Sequence, residues 1–123
     1  MRPSRLFLAL LVTAFILSAM IVGNQSGPRY DAVISFGSLC CGPDMEAMLR
    51  LDELINQFER RHPGRLRVEK KPWGLEGEVD FCIDYRGLMP GPRDDFASAA
   101  KAIINASTHH TVVLKEVGTC RPD

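Results

Sequence analysis

Val79-Asp80-Phe81-Cys82-Ile83-Asp84-Tyr85 is the clearest strand in the chain, and the other elements are placed around it. Val79, Phe81, Ile83 and Tyr85 alternate with Asp80, Cys82 and Asp84, the period of two of a half-buried strand. Upstream, Pro72-Trp73-Gly74-Leu75-Glu76-Gly77 reads as a loop. Before it, Leu66 to Lys71 alternates Leu66, Val68 and Lys70 with Arg67, Glu69 and Lys71, a short strand. Downstream, Met89-Pro90-Gly91-Pro92 forces a second loop. Asp94 and Asp95 then cap a helix whose buried face is Phe96, Ala99, Ala100, Ile103 and Ile104. Thr111 to Val117 is β-branched and closes the series as a last strand.

Toward the N-terminus, Tyr30 to Leu39 carries Val33, Ile34 and Phe36 among small residues and reads as a first strand. Gly42-Pro43-Asp44 stops it and opens a helix, with Asp44 set against the positive end of the helix dipole. Met48, Leu51, Leu54, Ile55 and Phe58 recur at helical spacing, and Pro63-Gly64 ends that helix. The order strand, helix, strand, strand, helix, strand is the split βαβ arrangement called ferredoxin-like. It predicts an α+β fold, with two helices on one face of a four-stranded antiparallel sheet. That architecture serves many unrelated functions and names none.

Four cysteines, Cys40, Cys41, Cys82 and Cys120, suggest a disulfide framework if the domain leaves the cytoplasm. Cys40 and Cys41 end the first strand, and Cys82 is read as close to the start of the third. These strands are antiparallel neighbours in the expected sheet, so Cys41–Cys82 is the favoured pair and Cys40–Cys82 its alternative. A Cys40–Cys41 bond would distort the peptide between the two residues. Cys120 falls toward the opposite end and stays free unless Gly118 lets the tail fold back.

The same topology brings His109 and His110, at the start of the last strand, to the sheet end expected to hold Cys40, Cys41 and Cys82. Met45 stands one turn into the first helix. Thiolate, imidazole and thioether together favour copper or zinc, which makes these six residues an alternative metal set. Cysteines between a first strand and a first helix resemble the heavy-metal-associated domains, ferredoxin-like carriers of metal ions. Those domains space their cysteines by two residues, whereas Cys40 and Cys41 are adjacent. A thiol-redox reading of the same pair has the helix N-terminus in its favour and lacks the Cys-x-x-Cys spacing. Gly37 to Gly42 is a weak anion-cradle signal, and Ser35, Ser38 and Asp84 with a histidine compose a triad only on paper.

Leu6 to Val22 is apolar and uncharged, preceded by Arg2 and Arg5. Its length lies between a signal's apolar core of roughly 7–15 residues and the about 20 of a spanning helix. Residues 1–23 are read as a signal peptide or an uncleaved transmembrane anchor, residues 24–29 as a linker, and residues 30–123 as the domain. The basic N-terminus stays inside, which places the domain in the cell envelope: anchored at the inner membrane, or periplasmic or secreted if the signal is cut.

The whole chain has 15 Lys and Arg against 15 Asp and Glu, so nothing global attracts it to nucleic acid. Arg60, Arg61, His62, Arg65, Arg67, Lys70 and Lys71 form the densest basic stretch, a solvated helix end or a contact for anionic lipid. The sheet face away from the helices carries Arg67, Glu69, Lys71, Asp80, Asp84 and Lys115. It is expected to be open, a place for a protein partner or a second copy. Trp73, Arg67, Lys70 and Lys71 are the interaction candidates, with Trp73 expected at an exposed edge. Asn24 and Asn105 fit the glycan acceptor pattern, which matters in a eukaryotic host. The reading is a non-catalytic interaction or accessory module without a cofactor. Copper or zinc handling and thiol redox chemistry are its alternatives.

Overall fold

A computed structural model describes residues 28–109 and 111–122. Segment 1–23, most of the 24–29 linker and His110 lie outside the described residues. No helix among the described residues is long and apolar enough to cross a membrane.

The chain runs β1 (Arg29–Phe36), α1 (Met45–Arg61), β2 (Arg67–Trp73), β3 (Glu78–Asp84), α2 (Pro90–Ala106) and β4 (Val112–Thr119). The α+β reading holds: the strands form one antiparallel sheet in the order β2-β3-β1-β4, accompanied by two helices. Register follows the alternation of Val79, Phe81 and Ile83 with Asp80, Cys82 and Asp84. Ile83 faces Ala32 and Val68, and Phe81 faces Ile34 and Lys70. Shifting β3 by one residue would exchange its apolar row for Asp80, Cys82 and Asp84.

One face of the sheet and both helices share the main core of Ile34, Phe36, Leu51, Phe58, Phe81, Ile83, Phe96 and their neighbours. Phe96 packs edge-on against Phe58, with ring centroids 5.2 Å apart, and meets Tyr85 at 5.5 Å. Asp44 caps α1 by accepting the Ala47 N–H at 3.0 Å, which satisfies one of the helix's orphan donors.

Three element boundaries differ from expectation. The second helix begins at Pro90 rather than behind Asp94 and Asp95, with Pro in its first turn and no side-chain cap. Proline lacks only an N–H that a first turn leaves unpaired anyway, so Pro90 and Pro92 start the helix instead of preceding it. Second, β1 stops at Phe36, where the Gly37 N–H bonds Thr111 O at 3.0 Å and the chain turns away from the sheet. Third, β2 continues through Pro72 to Trp73. It is an edge strand, where a missing N–H need not break a ladder. Gly87 is required by close approach, since a Cβ there would overlap the Arg65 carbonyl oxygen.

Candidate interaction surface

The sheet face away from the helices is not open along its length. Val117 takes a positive φ of 60°, and the tail after β4 turns back across the sheet. Gly118 passes close to Val33, whose Cγ2 would stand 3.3 Å from a Cβ at that position. Cys120 is bonded to Cys82, which is fully buried and forms a second small core with Tyr30 and Val33. One residue on, Arg121 lies 4.3 Å above the Trp73 ring and sets its Nε 3.2 Å from Asp80 Oδ2. Trp73 Nε1 donates to the other oxygen of that carboxylate at 2.8 Å. Asp80 is therefore buried with both oxygens occupied, as a buried charge requires.

These contacts correct the disulfide expectation: Cys82 pairs with Cys120, not with Cys41 or Cys40. Two assumptions failed. Cys82 stands opposite Val33, well inside the sheet, and β1 runs from that level toward Phe36 and Val79, so Cys40 and Cys41 lie beyond the sheet end, away from Cys82. Trp73 is likewise the half-buried last residue of β2 rather than an exposed loop contact.

The other interaction candidates are engaged within the chain. Arg67 lies 3.4 Å from Asp84 and 4.9 Å over the Tyr30 ring. Lys70 reaches Asp52 at 2.6 Å and covers Phe81, while Lys71 lies 3.9 Å from Glu69.

The end of the domain where β1 finishes has a different character. Leu39, in the β1–α1 loop, is 88% exposed, and Leu75, in the β2–β3 turn, is fully exposed. Met45 and Leu49 are also exposed, one turn apart at the start of α1. Single exposed leucines are ordinary; four large apolar side chains at one end of a small domain are not. The two loops are tied, because the Ser38 hydroxyl donates to Glu76 and accepts the Gly42 N–H at 3.2 Å. Beside them a groove of about 440 Å³ runs between Met48, Trp73, Leu75, Val79 and Phe81.

Cys40 and Cys41 are exposed in the same loop, their sulfurs 2.9 Å apart. The hydrogen bond with Cys40 leads in pushing the Cys41 thiol up, with burial and the Glu76 charge adding to it. A raised pKa opposes the thiolate that fast redox catalysis needs.

Met45 and His109 both line a separate cleft of about 330 Å³ between the start of α1 and the end of α2. Asp44 and Ser107 share it, joined by a 2.5 Å hydrogen bond from the serine hydroxyl. The described members of the proposed metal set thus fall in the Cys40–Cys41 loop, along this cleft and at the buried Cys82, whose sulfur is already bonded. Among the described residues no three His, Cys, Asp or Glu side chains gather as a metal site would require. The paper triad is divided too: Ser38 bonds Glu76, Ser35 faces Asp80 in mid-sheet, and Asp84 lies at the opposite end beside Arg86.

Asp44 gives a pH prediction. The Ala47 N–H first, and then Ser107, hold its carboxyl below the usual carboxylate range. A depressed folded-state pKa contributes stability that is complete above the unfolded value of about 3.9 and is lost as pH falls through the folded one. Urea melts are expected to show Asp44→Ala less stable by about 1 kcal/mol at pH 7. That gap should narrow below about pH 4; a gap independent of pH would contradict the assignment.

At the far end from the apolar loops, Arg29 opens β1, Arg60 and Arg61 finish α1, and Arg65 and Arg86 follow in loops. Arg86 holds the Asp84 carboxyl far below its ordinary value through a 2.6 Å ion pair. Arg29, Arg60, Arg61 and Arg65 are exposed. Comparison with protein-family models, curated proteins and solved structures finds no match to the chain.

The tail clasp and the apolar end escaped the sequence reading. The signal for the first was present in Gly118 two residues before a cysteine; Leu39 and Leu75 gave none, since isolated loop leucines carry no period.

Proposed function

We propose that the chain is an envelope protein whose segment 1–23 anchors or exports it, and whose ferredoxin-like domain is a non-catalytic protein-interaction module outside the cytoplasm. The βαββαβ order and the β2-β3-β1-β4 sheet support the fold name. The observation that carries the interaction reading is the apolar end formed by Leu39, Met45, Leu49 and Leu75 beside its groove. Exposed clusters of this kind mark protein contacts. A buried disulfide suits a small domain in an oxidising compartment.

The polarity of the domain fits a tether. The chain enters at Arg29, next to the exposed arginines and at the end opposite the apolar cluster. The apolar end lies away from that base by the length of α1, about 25 Å for its 17 residues. Copper or zinc handling or thiol exchange, the alternative, retains Cys40 and Cys41 as its free thiols.

A benzophenone side chain at Leu75 tests the reading, with the full chain in its native membrane and the same probe at Lys115 for comparison. One discrete protein adduct from position 75, removed by Leu39→Glu and not formed from position 115, is expected. No adduct from position 75, or equal adducts from both positions, would contradict it.

A further inference from the structure

We infer that Cys40 and Cys41 form a reversible vicinal disulfide, a redox-modifiable ring in the loop that presents Leu39. Successive side chains of an extended strand point to opposite faces, so adjacent cysteines in a strand hold their sulfurs apart. Here both sulfurs lie on the same side, 2.9 Å from each other. A bond would bring them to about 2.05 Å, a closure of about 0.9 Å for two exposed side chains. The backbone accounts for the contact. Cys41 and Gly42 follow one another at positive φ, 72° and 93°. The left-handed region is costly for a residue with a Cβ and persists where surrounding contacts impose it. Those contacts are present: Gly42 N–H is fixed on Ser38, Ser38 on Glu76, and Asp44 is locked as the cap of α1.

The step is thiol–disulfide exchange with a small disulfide such as oxidised glutathione. One cysteine thiolate attacks a sulfur of the small disulfide, breaking its bond and releasing one glutathione thiol. The neighbouring cysteine then displaces the second glutathione from the mixed disulfide. Two electrons and the two thiol protons pass from the protein to two glutathione molecules, and one Sγ–Sγ bond remains. Adjacent cysteines cannot close a bond without bending the peptide between them, and strain makes a disulfide easier to reduce. Exposure acts in the same direction. The chain thus contains two disulfides of opposite character: Cys82–Cys120 buried and structural, Cys40–Cys41 exposed and labile. The raised Cys41 thiol makes exchange slow, which suits a bond that records the surrounding redox balance more than a catalyst that turns over.

Closing the ring removes freedom from the peptide next to Leu39. The bond itself does not depend on the interaction reading, and the experiment reads it without any partner. The full chain in detergent is equilibrated with glutathione buffers from reducing to oxidising, quenched in acid, alkylated and digested with trypsin. Both cysteines fall in the peptide Tyr30–Arg50. That peptide is expected to lose two hydrogens and resist alkylation on the oxidising side, and to take two alkyl groups on the reducing side. The Cys82–Cys120 link should persist through that change. In Cys41→Ser, Cys40 should instead retain a glutathione adduct. Glutathione on both wild-type cysteines, bonds between chains, pairing with Cys82 or Cys120, or two alkylatable thiols at the most oxidising ratio would each overturn the inference.

Discussion

Replacing Cys82 and Cys120 together by alanine is expected to lower the stability of the domain by about 4 kcal/mol. The bridge closes 38 residues of chain, and the loop-entropy relation gives about that value for a loop of this size. The loop spans the end of β3, all of α2 and β4, so the unlinked chain gains freedom across nearly half the domain. The native state loses contacts as well: without the bond nothing covalent holds Arg121 over Trp73 and Asp80. For a domain of this size the melting temperature should fall by on the order of 20 °C, at about 4–8 °C per kcal/mol. Urea melts of both proteins measure the change, and peptide mapping of the wild type identifies the bridge. A loss below about 1 kcal/mol would mean that the bond does little of what the entropy argument assigns to it. A map linking Cys82 to Cys41 would overturn the pairing itself.

Phe96→Ala is the second large effect, expected at about 3–5 kcal/mol. Phe96 is fully buried where α2 meets α1 and the sheet, edge-on to Phe58 and against Tyr85. Its removal forfeits the transfer free energy of the ring, leaves a cavity that a close-packed interior fills poorly, and takes away two aromatic contacts. Natural domains are stable by about 5–15 kcal/mol, so this variant should lie near the limit of folding at 37 °C. Phe96→Leu, which retains most of the apolar volume, should lose markedly less. Chemical denaturation of the three proteins under one buffer checks the order. An alanine variant within about 1 kcal/mol of wild type would show that α2 does not depend on this contact.

The arrangement of strands and helices was legible because it rests on local periodicity. Val79, Phe81 and Ile83 against Asp80, Cys82 and Asp84 set one face of β3 toward the core, and Leu51 and Phe58 did the same for α1. Prolines were misread at both ends of their range: Pro90 and Pro92 began a helix, and Pro72 stayed inside an edge strand. A helix's first turn and an edge strand both tolerate a missing N–H, which neighbouring residues alone do not reveal. Of the proposed site residues, the structure keeps Cys40 with Cys41, places Met45 and His109 along one cleft and buries Cys82 in its bond to Cys120.

Local pattern along the chain suffices for the order of the six elements, for the apolar faces that meet in the core and for Asp44 at the positive end of α1. Each depends on residues a few positions apart along the chain. Folding in three dimensions is what joins Cys82 to Cys120, closes Arg121 over Trp73 and Asp80, and puts Leu39 and Leu75 at one end. These are meetings of segments distant in sequence. They depend on the paths of loops and of the tail after β4, which leave no period to read.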